Sequence, residues 1–528
     1  MGDLLDKAAN VYPNKEALVD KTNRYTYAQV REMANRLAIS LMELGIKKQD
    51  RVLLQLPNWH EFVWSYFALQ KIGAIATLLL ARHGPTEINH IAHLTRATAW
   101  IVPERYRNID YLPIIDDVSN ANPDLEFIIL ARGKGNRRFL SLEKLVEKGE
   151  LSESNLRKLA ERRPDPMEIE HMGPTGGTTG LPKIAPRTHN IHICRTEYTA
   201  RAWELTSNDI CLIVAPAAHD MTFSNAFCAT VFMFGKLIML DSTDPEDVLG
   251  AIQQEKVSAV VLVPTLACKL LSYERLKNYD VSSLQKMLCG GQAVTSKLVK
   301  DVNEKFGCKV INSYGGTEGQ QVMTRLDDDQ ATIHTNVGRP TCPCSTYKVI
   351  DANEKELAVN RKGELVVKGP DVFTGYYNSA EENRKAFTSD GFFKTGDIAK
   401  IDDSGIITIT GRIKDIIMRG GENVSPVEIE GLIITHPAVD QVSVIGMPDT
   451  KLGEKICAYI QLKPGEKLCC EDVISFLKDK GASVLQLPER VEFIDSLPLT
   501  KVGKSDKKHL RDDIRNKLIA EGVIELVK

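Results

Sequence analysis

The residues best suited to chemistry lie in Thr175-Gly-Gly-Thr-Thr-Gly-Leu-Pro-Lys183. Glycine permits the backbone conformations that turn successive N–H groups inward, and threonine hydroxyls add donors. Lys183 supplies a compact positive charge. Such a loop can approach a phosphate closely, though composition alone leaves an ordinary polar surface turn equally open. Two familiar nucleotide loops are excluded. A Walker loop needs G-x-x-x-x-G-K-[ST], and Gly503-Lys504-Ser505 has Pro498 where the first glycine belongs. No G-x-G-x-x-G opens a helix after a strand, which disfavours a dinucleotide oxidoreductase.

Metal and disulfide chemistry are poorly supported. His90 and His93 form H-x-x-H, but no second ligand pair follows. Cys342-Pro-Cys344 and Cys469-Cys470 lack the C-x2-C spacing of zinc sites. The 11 cysteines are scattered and odd in number, which reads as reduced thiols in a long chain.

The elements that must position these residues alternate between helix and strand. Tyr27 to Leu44 has helical apolar spacing and ends near Gly45, a suitable C-cap. Arg51–Leu56, Val257–Val263 and Met287–Cys289 are short apolar runs that read as buried strands, the last ending at Gly290-Gly291. The pattern predicts an α/β fold. Gly405–Thr410 alternates like a strand and Gly411-Arg412 reads as a turn, so the boundary is placed there. It separates a large N-terminal domain, 1–413, from a small mobile α+β domain, 414–528, whose about 115 residues suffice for independent folding.

Bulk properties narrow the function classes. The chain has 528 residues, enough for several domains. Its net charge of −3 gives no basic field for nucleic acid or acidic membrane. The first ten residues carry Asp3, Asp6 and Lys7, unlike a secretory signal. The longest apolar run, Ile72–Ala81, is too short to span a bilayer. The cytoplasm is the expected compartment.

At Thr175–Lys183 the sequence resembles the adenylate-forming superfamily of acyl-CoA synthetases, peptide-synthetase adenylation domains and luciferases. That family's phosphate loop reads [ST]-[SG]-G-[ST]-T-G-x-P-K, and every position fits. Further family motifs follow in order. They are Tyr314-Gly-Gly-Thr-Glu-Gly319, Gly338-Arg-Pro340, Gly375-Tyr-Tyr377, Lys394-Thr-Gly-Asp397, Gly411-Arg-Ile-Lys-Asp415 and Pro498–Lys504. Within the superfamily the chain is most similar to free-standing aryl-acid ligases such as 2,3-dihydroxybenzoate–AMP ligase. Ile184–His189, Tyr314–Arg325 and Arg419–Glu422 carry that likeness. Met1–Leu5 aligns some distance inside the usual start, which leaves a truncated start open.

The resemblance implies ATP-dependent activation of a carboxylic acid. The acid attacks the α-phosphorus, acyl-AMP forms and pyrophosphate leaves; the acyl group then passes to a phosphopantetheine thiol. It implies that Thr175, Gly176, Gly177, Thr178, Thr179, Gly180 and Lys183 hold the β- and γ-phosphates. Thr317 would contact the α-phosphate and Glu318 would bind Mg²⁺. Gly290, Gly291, Gln292, Tyr314 and Gly315 would flank the adenine. Asp397, supported by Arg412, would take the ribose hydroxyls. Lys504 would stabilise the transition state, Lys414 would be the hinge of the small domain, and His219 would gate the acid pocket.

Asp220, Asn225 and Gln321 are expected beside the acid. Aryl-acid ligases commonly carry Asn where Asp220 stands, and amino-acid-activating relatives carry Asp. A bare carboxylate there would repel a simple benzoate and favour an ammonium or a donating hydroxyl. Hydroxylated aryl acids (2,3-dihydroxybenzoate or salicylate type, with siderophore biosynthesis as a setting) and amino-bearing acids both stay open. The acceptor is an aryl or peptidyl carrier protein in trans, or CoA. A nucleotide-binding regulator is disfavoured by Lys504, Glu318 and Asp397 together, and a luciferase-like oxygenase shares every motif.

Overall fold

A computed structural model describes residues 1–21, 23–175, 181–500 and 505–524. Local rules are visible in the helix Tyr27–Glu43. Thr26 accepts from the Gln29 N–H at 3.3 Å and Gln29 accepts from the Thr26 N–H at 2.8 Å, a reciprocal capping box. Val30, Ala34, Leu37 and Leu41 recur at helical spacing and are buried. Each large side chain among them contributes about 1.5–3 kcal/mol. The chain then reverses at Gly45, whose φ of 98° favours glycine. The expected strands at 51–56, 257–263 and 287–289 are Arg51–Leu54, Ala259–Leu262 and Lys286–Gly290.

The chain packs as two units: Met1–Thr346 with Val367–Phe387, and Tyr347–Val366 with Thr388–Lys528. The first contains a nine-stranded and a seven-stranded sheet. In the nine-stranded sheet, Ile210–Ile213, Ala259–Leu262, Lys286–Gly290 and Lys309–Gly315 run parallel as neighbours. Helices Pro245–Glu255, Pro264–Leu271 and Ser296–Lys305 bury Val248, Leu249, Leu266, Leu270, Leu298 and Val302 in one core with Val260, Leu262 and Met287. Sheets buried this way read as unbroken apolar runs, which made these strands legible.

The second unit has two sheets of its own. Phe393–Ile401 and Ile407–Arg412 pair antiparallel. The expected strand at 405–410 is displaced toward the C-terminus. Asp402 caps the turn, accepting from Ser404 and Ile406 N–H at 2.9 Å each. Gly405 takes the left-handed conformation at φ 76°. The strand therefore starts at Ile407 and runs through Gly411-Arg412, and the turn falls at Ile413–Asp415. A five-stranded sheet with helices Pro426–Ile433 and Cys470–Asp479 completes a second core, and Lys507–Ala520 packs Leu510, Ile514 and Leu518 against Ile445 and Tyr459.

Candidate active site

Open parallel sheets bind ligands beyond the carboxyl ends of their strands. Three predicted segments lie there. Gly290-Gly291-Gln292 ends Lys286–Gly290, Tyr314-Gly315 ends Lys309–Gly315, and His219 follows Ile210–Ile213. Gly290 is required by close approach, since a Cβ would lie 2.4 Å from the Ser313 carbonyl oxygen. Gly291 has φ 81°.

The phosphate-loop candidate is anchored from the seven-stranded sheet. Ile169–Pro174 and Ile184–Thr188 pair antiparallel, and Thr175 N–H donates to the Lys183 carbonyl at 2.8 Å. Gly176, Gly177, Thr178, Thr179 and Gly180 lie outside the described residues. A Cβ on Gly173 would come within 2.6 Å of Thr317 Cγ2, so the base of this hairpin abuts the Tyr314–Gly319 motif. Lys183 pairs with Glu382 and lies 4.8 Å from the Tyr376 ring centroid. Tyr376 donates its hydroxyl to Glu318 Oε1 at 2.8 Å. Burial first, then the Glu318 charge, pushes that phenol far above its ordinary pKa, so it remains a donor.

The acid-side residues gather around a feature that sequence reasoning missed. Arg187 and Arg195 are 0% and 1% exposed as side chains, and both pair with Asp220, at 3.0 and 2.9 Å. Ser224 donates to the same carboxylate at 3.1 Å. Burial acts to raise the Asp220 pKa, but the two guanidinium groups more than reverse this and hold it well below the carboxylate range. Asp220 is therefore no bare carboxylate, and the unpaired charge argued from sequence is corrected: two arginines neutralise it. Arg195 also donates to Gln321 Oε1 at 2.9 Å, and Gln321 donates to Ser313 Oγ at 2.8 Å. Asn225 lies in the π-helical turn Phe223–Cys228, its Oδ1 buried without a hydrogen-bond partner among the described residues. His219 is partly buried and precedes the short helix Asp220–Thr222, its carbonyl accepting from Phe223 N–H at 2.8 Å.

A usable signal for Arg195 was present. His189, His192, Arg195, Thr196 and Thr199 recur at helical spacing along His189–Ala202 and are all buried, a polar stripe turned into the core. His192 and His171 share Glu170 Oε2 through their Nδ1 atoms, at 2.8 Å for His192, and Tyr66 donates to Glu170 Oε1. Burial pulls His192 down to about 3 and His189 down to about 4. Asp20, His60 and Glu61 form a second buried group, and Arg132 supplies its positive charge at 2.9 Å from Asp20 and 2.8 Å from Glu61. Internal hydrogen bonds and ion pairs thus engage both clusters, although His192 Nε2 is buried without a hydrogen-bond partner among the described residues.

In the second unit, Asp397 and Arg412 stand opposite each other across the antiparallel pair, with Arg412 Nε 2.7 Å from Asp397 Oδ1. The Asp397 side chain is 4% exposed and that of Arg412 48%. Lys414 is exposed in the 3-10 turn Ile413–Asp415. Lys504 lies outside the described residues; beside its loop, Leu499 and Ser505 form an antiparallel bridge.

Residues 5–377 match the AMP-binding enzyme family, and residues 428–504 match the AMP-binding enzyme C-terminal domain. The chain belongs to the AMP-binding enzyme family. It is an AMP-forming acid ligase with the α/β fold of that family. It is 34% identical over 98% of its length, and 94% of the relative, to the 2,3-dihydroxybenzoate-AMP ligase of Bacillus subtilis (strain 168). It is 31% identical over 97% of its length, and 92% of the relative, to the 2-hydroxy-7-methoxy-5-methyl-1-naphthoate–CoA ligase of Streptomyces carzinostaticus. The crystal structure of the anthranilate CoA ligase AuaEII in complex with anthranoyl-AMP superposes with a TM-score of 0.88, at 25% identity, covering 98% of each chain. Enzymes of this family use ATP, typically with Mg²⁺, and act on small carboxylic acids. Among the described residues, no helix is long and apolar enough to cross a membrane.

Proposed function

We propose that the chain activates an aromatic acid carrying a hydroxyl ortho to the carboxylate, of the salicylate or 2,3-dihydroxybenzoate type, and transfers it to a phosphopantetheine thiol. The acid carboxylate attacks the α-phosphorus of ATP and the bond to the β-phosphate oxygen breaks, giving acyl-AMP and pyrophosphate. A thiolate then attacks the acyl carbonyl, and AMP leaves. The first step joins two anions, so the protein's task is neutralisation and alignment.

The observation that carries this reading is the saturated Asp220. With Arg187 and Arg195 on its carboxylate, its pull on an ammonium is offset, which removes the case for an amino-bearing acid and leaves a phenolic hydroxyl to the neighbouring polar lining. The similar dihydroxybenzoate and hydroxynaphthoate ligases act on acids of that kind. Asn225, with its buried unpartnered Oδ1, and Gln321 would complete the polar lining.

The remaining roles follow from the family likeness. Thr175, Gly176, Gly177, Thr178, Thr179, Gly180 and Lys183 would hold the β- and γ-phosphates. Thr317, against the base of that loop, would contact the α-phosphate. Glu318 fits Mg²⁺, which takes a carboxylate oxygen with phosphate oxygens and waters; Oε1 is committed to Tyr376, and the second oxygen suits the cation. When bound, the ion would neutralise phosphate charge. Gly290, Gly291, Gln292, Tyr314 and Gly315 would flank the adenine, and Asp397, steadied by Arg412, would accept the ribose hydroxyls. Lys504 would meet the charge developing at the α-phosphate, Lys414 would absorb the backbone change between half-reactions, and His219 would gate the thiol route. Residues 1–413 and 414–528 would then move as the large and small domains.

Product analysis tests this reading. Incubation with ATP, Mg²⁺ and salicylate should release pyrophosphate and salicyl-AMP by mass spectrometry. Adding CoA to one arm and a phosphopantetheinylated aryl carrier protein to another should show thioester in the carrier arm at the higher rate. Release of ADP, or adenylate that no thiol discharges, would contradict it.

A further inference from the structure

The two buried arginines do more than neutralise Asp220. Arg187 follows the phosphate-loop candidate on Ile184–Thr188, and Arg195 projects from the next helix, His189–Ala202. Arg187 donates through Nε to the Thr317 carbonyl at 3.1 Å and through Nη2 to the Gly316 carbonyl at 3.2 Å. Arg195 Nη1 donates to the same Gly316 carbonyl at 3.0 Å. Further donors reach the acid side: Asp220 from both arginines, Ser224 from Arg187 at 3.3 Å, and Gln321 from Arg195, while Arg195 Nε is buried without a hydrogen-bond partner among the described residues. Two guanidinium groups are thus withdrawn from water and spent on two consecutive carbonyls. Desolvating such charges is costly unless their donors are well used. A Cβ on Gly316 would meet Gln320 Nε2 at 2.5 Å and Glu318 Oε2 at 2.9 Å, so both side chains pack closely on this stretch of backbone.

We infer that Arg187 and Arg195 are positioning residues for adenylation. Braced by Asp220, they tie the acid-side turn at 220–224 to the carbonyls of Gly316 and Thr317, and so fix where Thr317 and Glu318 point. This rests on the phosphate and magnesium roles proposed for those two residues. Asp220 then acts as the brace of the arginine pair rather than as a reader of the acid.

The test uses Arg187→Lys and Arg195→Lys, which keep the charge and lose the planar fork, together with Asp220→Asn. Each is assayed by acid-dependent ATP–pyrophosphate exchange against magnesium concentration. A misplaced catalytic group lowers kcat by about ten- to a hundredfold, whereas KM for the acid should stay within about threefold. The magnesium concentration for half-maximal rate should rise at least about threefold as Glu318 loses its orientation. Asp220→Asn should slow every acid by a similar factor and leave their ranking unchanged. Folded lysine variants with wild-type kcat and magnesium dependence would overturn the inference, as would an Asp220→Asn enzyme with a new acid ranking. Should the lysine variants fail to fold, Ser224→Ala and Gln321→Leu decide. Each removes one tether and keeps both ion pairs, and a kcat within twofold of wild type in both would reject the positioning role. A wild type without acid-dependent exchange would instead sink the proposed function itself; an active wild type with indifferent variants sinks only this inference.

Discussion

Asp220 and Asp397 are both carboxylates clasped by arginine, and they differ in how far those arginines reach water. Around Asp220 both guanidinium groups are buried; at Asp397 the guanidinium of Arg412 is about half exposed. The same chemical pair therefore does different work. Removing one member of a buried pair strands a charge at a cost of about 3–5 kcal/mol. An exposed pair contributes about 0–1 kcal/mol. The first arrangement holds a shape. The second leaves its cation at the surface, where its grip on the carboxylate is looser.

Asp220→Ala gives the largest break. It strands two guanidinium groups and should destabilise the first unit by about 3–5 kcal/mol. Trp59, Trp64, Trp100 and Trp203 all belong to that unit, so tryptophan fluorescence during urea unfolding reports on it alone. A loss below about 1 kcal/mol would place Asp220 with the exposed pairs.

Lys504→Ala moves the comparison to the second unit. Losing a charge that acts only in the transition state costs about 3–4 kcal/mol of barrier, or 10²–10³ in rate. Pyrophosphate exchange should fall by that factor, while supplied acyl-AMP is still converted to thioester and the unfolding curve is unchanged. Normal exchange would remove Lys504 from the mechanism.

The buried stripe also makes the first unit acid-sensitive. His189 and His192 are held by burial at about 4 and about 3, below the ordinary 6.5. The unfolded chain binds protons that the folded chain refuses, so stability rises with pH across this range. It should be complete above about pH 6.5 and decline toward pH 4. His192→Gln should flatten that decline in tryptophan-monitored unfolding; an unchanged slope would exclude the histidine as its source.

Arg412→Met removes a half-exposed arginine from a buried carboxylate and should cost about 1–3 kcal/mol, between the exposed and buried cases, and it should raise the KM for ATP several-fold by loosening Asp397. A severe loss of stability with normal ATP binding would reverse the roles assigned to the two sites.

What could be read in advance follows the same division. The buried parallel strands announce themselves as unbroken apolar runs, and Gly290-Gly291 marks a real strand end, whereas Gly405, read as strand, lies in a turn. Thr317, Glu318, Asp397 and Arg412 could be named because their motifs are short and local. Arg187, Arg195 and Asp220 are far apart in the chain, and no spacing rule joins them. Their meeting depends on a strand, a helix and a π-helical turn converging, so Asp220 looked like a bare charge. The polar stripe on His189–Ala202 was the available hint, and it says only that something polar is buried. The strand at 407–412 was placed two residues early because Asp402, rather than Gly411, governs the turn.

The most direct test of the central claim is acid-dependent pyrophosphate exchange across a panel of salicylate, 2,3-dihydroxybenzoate, benzoate, anthranilate and α- and β-amino acids, compared by kcat/KM. The ortho-hydroxylated acids should lead benzoate by at least about tenfold, as for a hydrogen bond whose loss leaves a buried acceptor unpaired, and the amino acids should give no exchange above background. Exchange driven by an amino acid, with salicylate inert, would contradict the account.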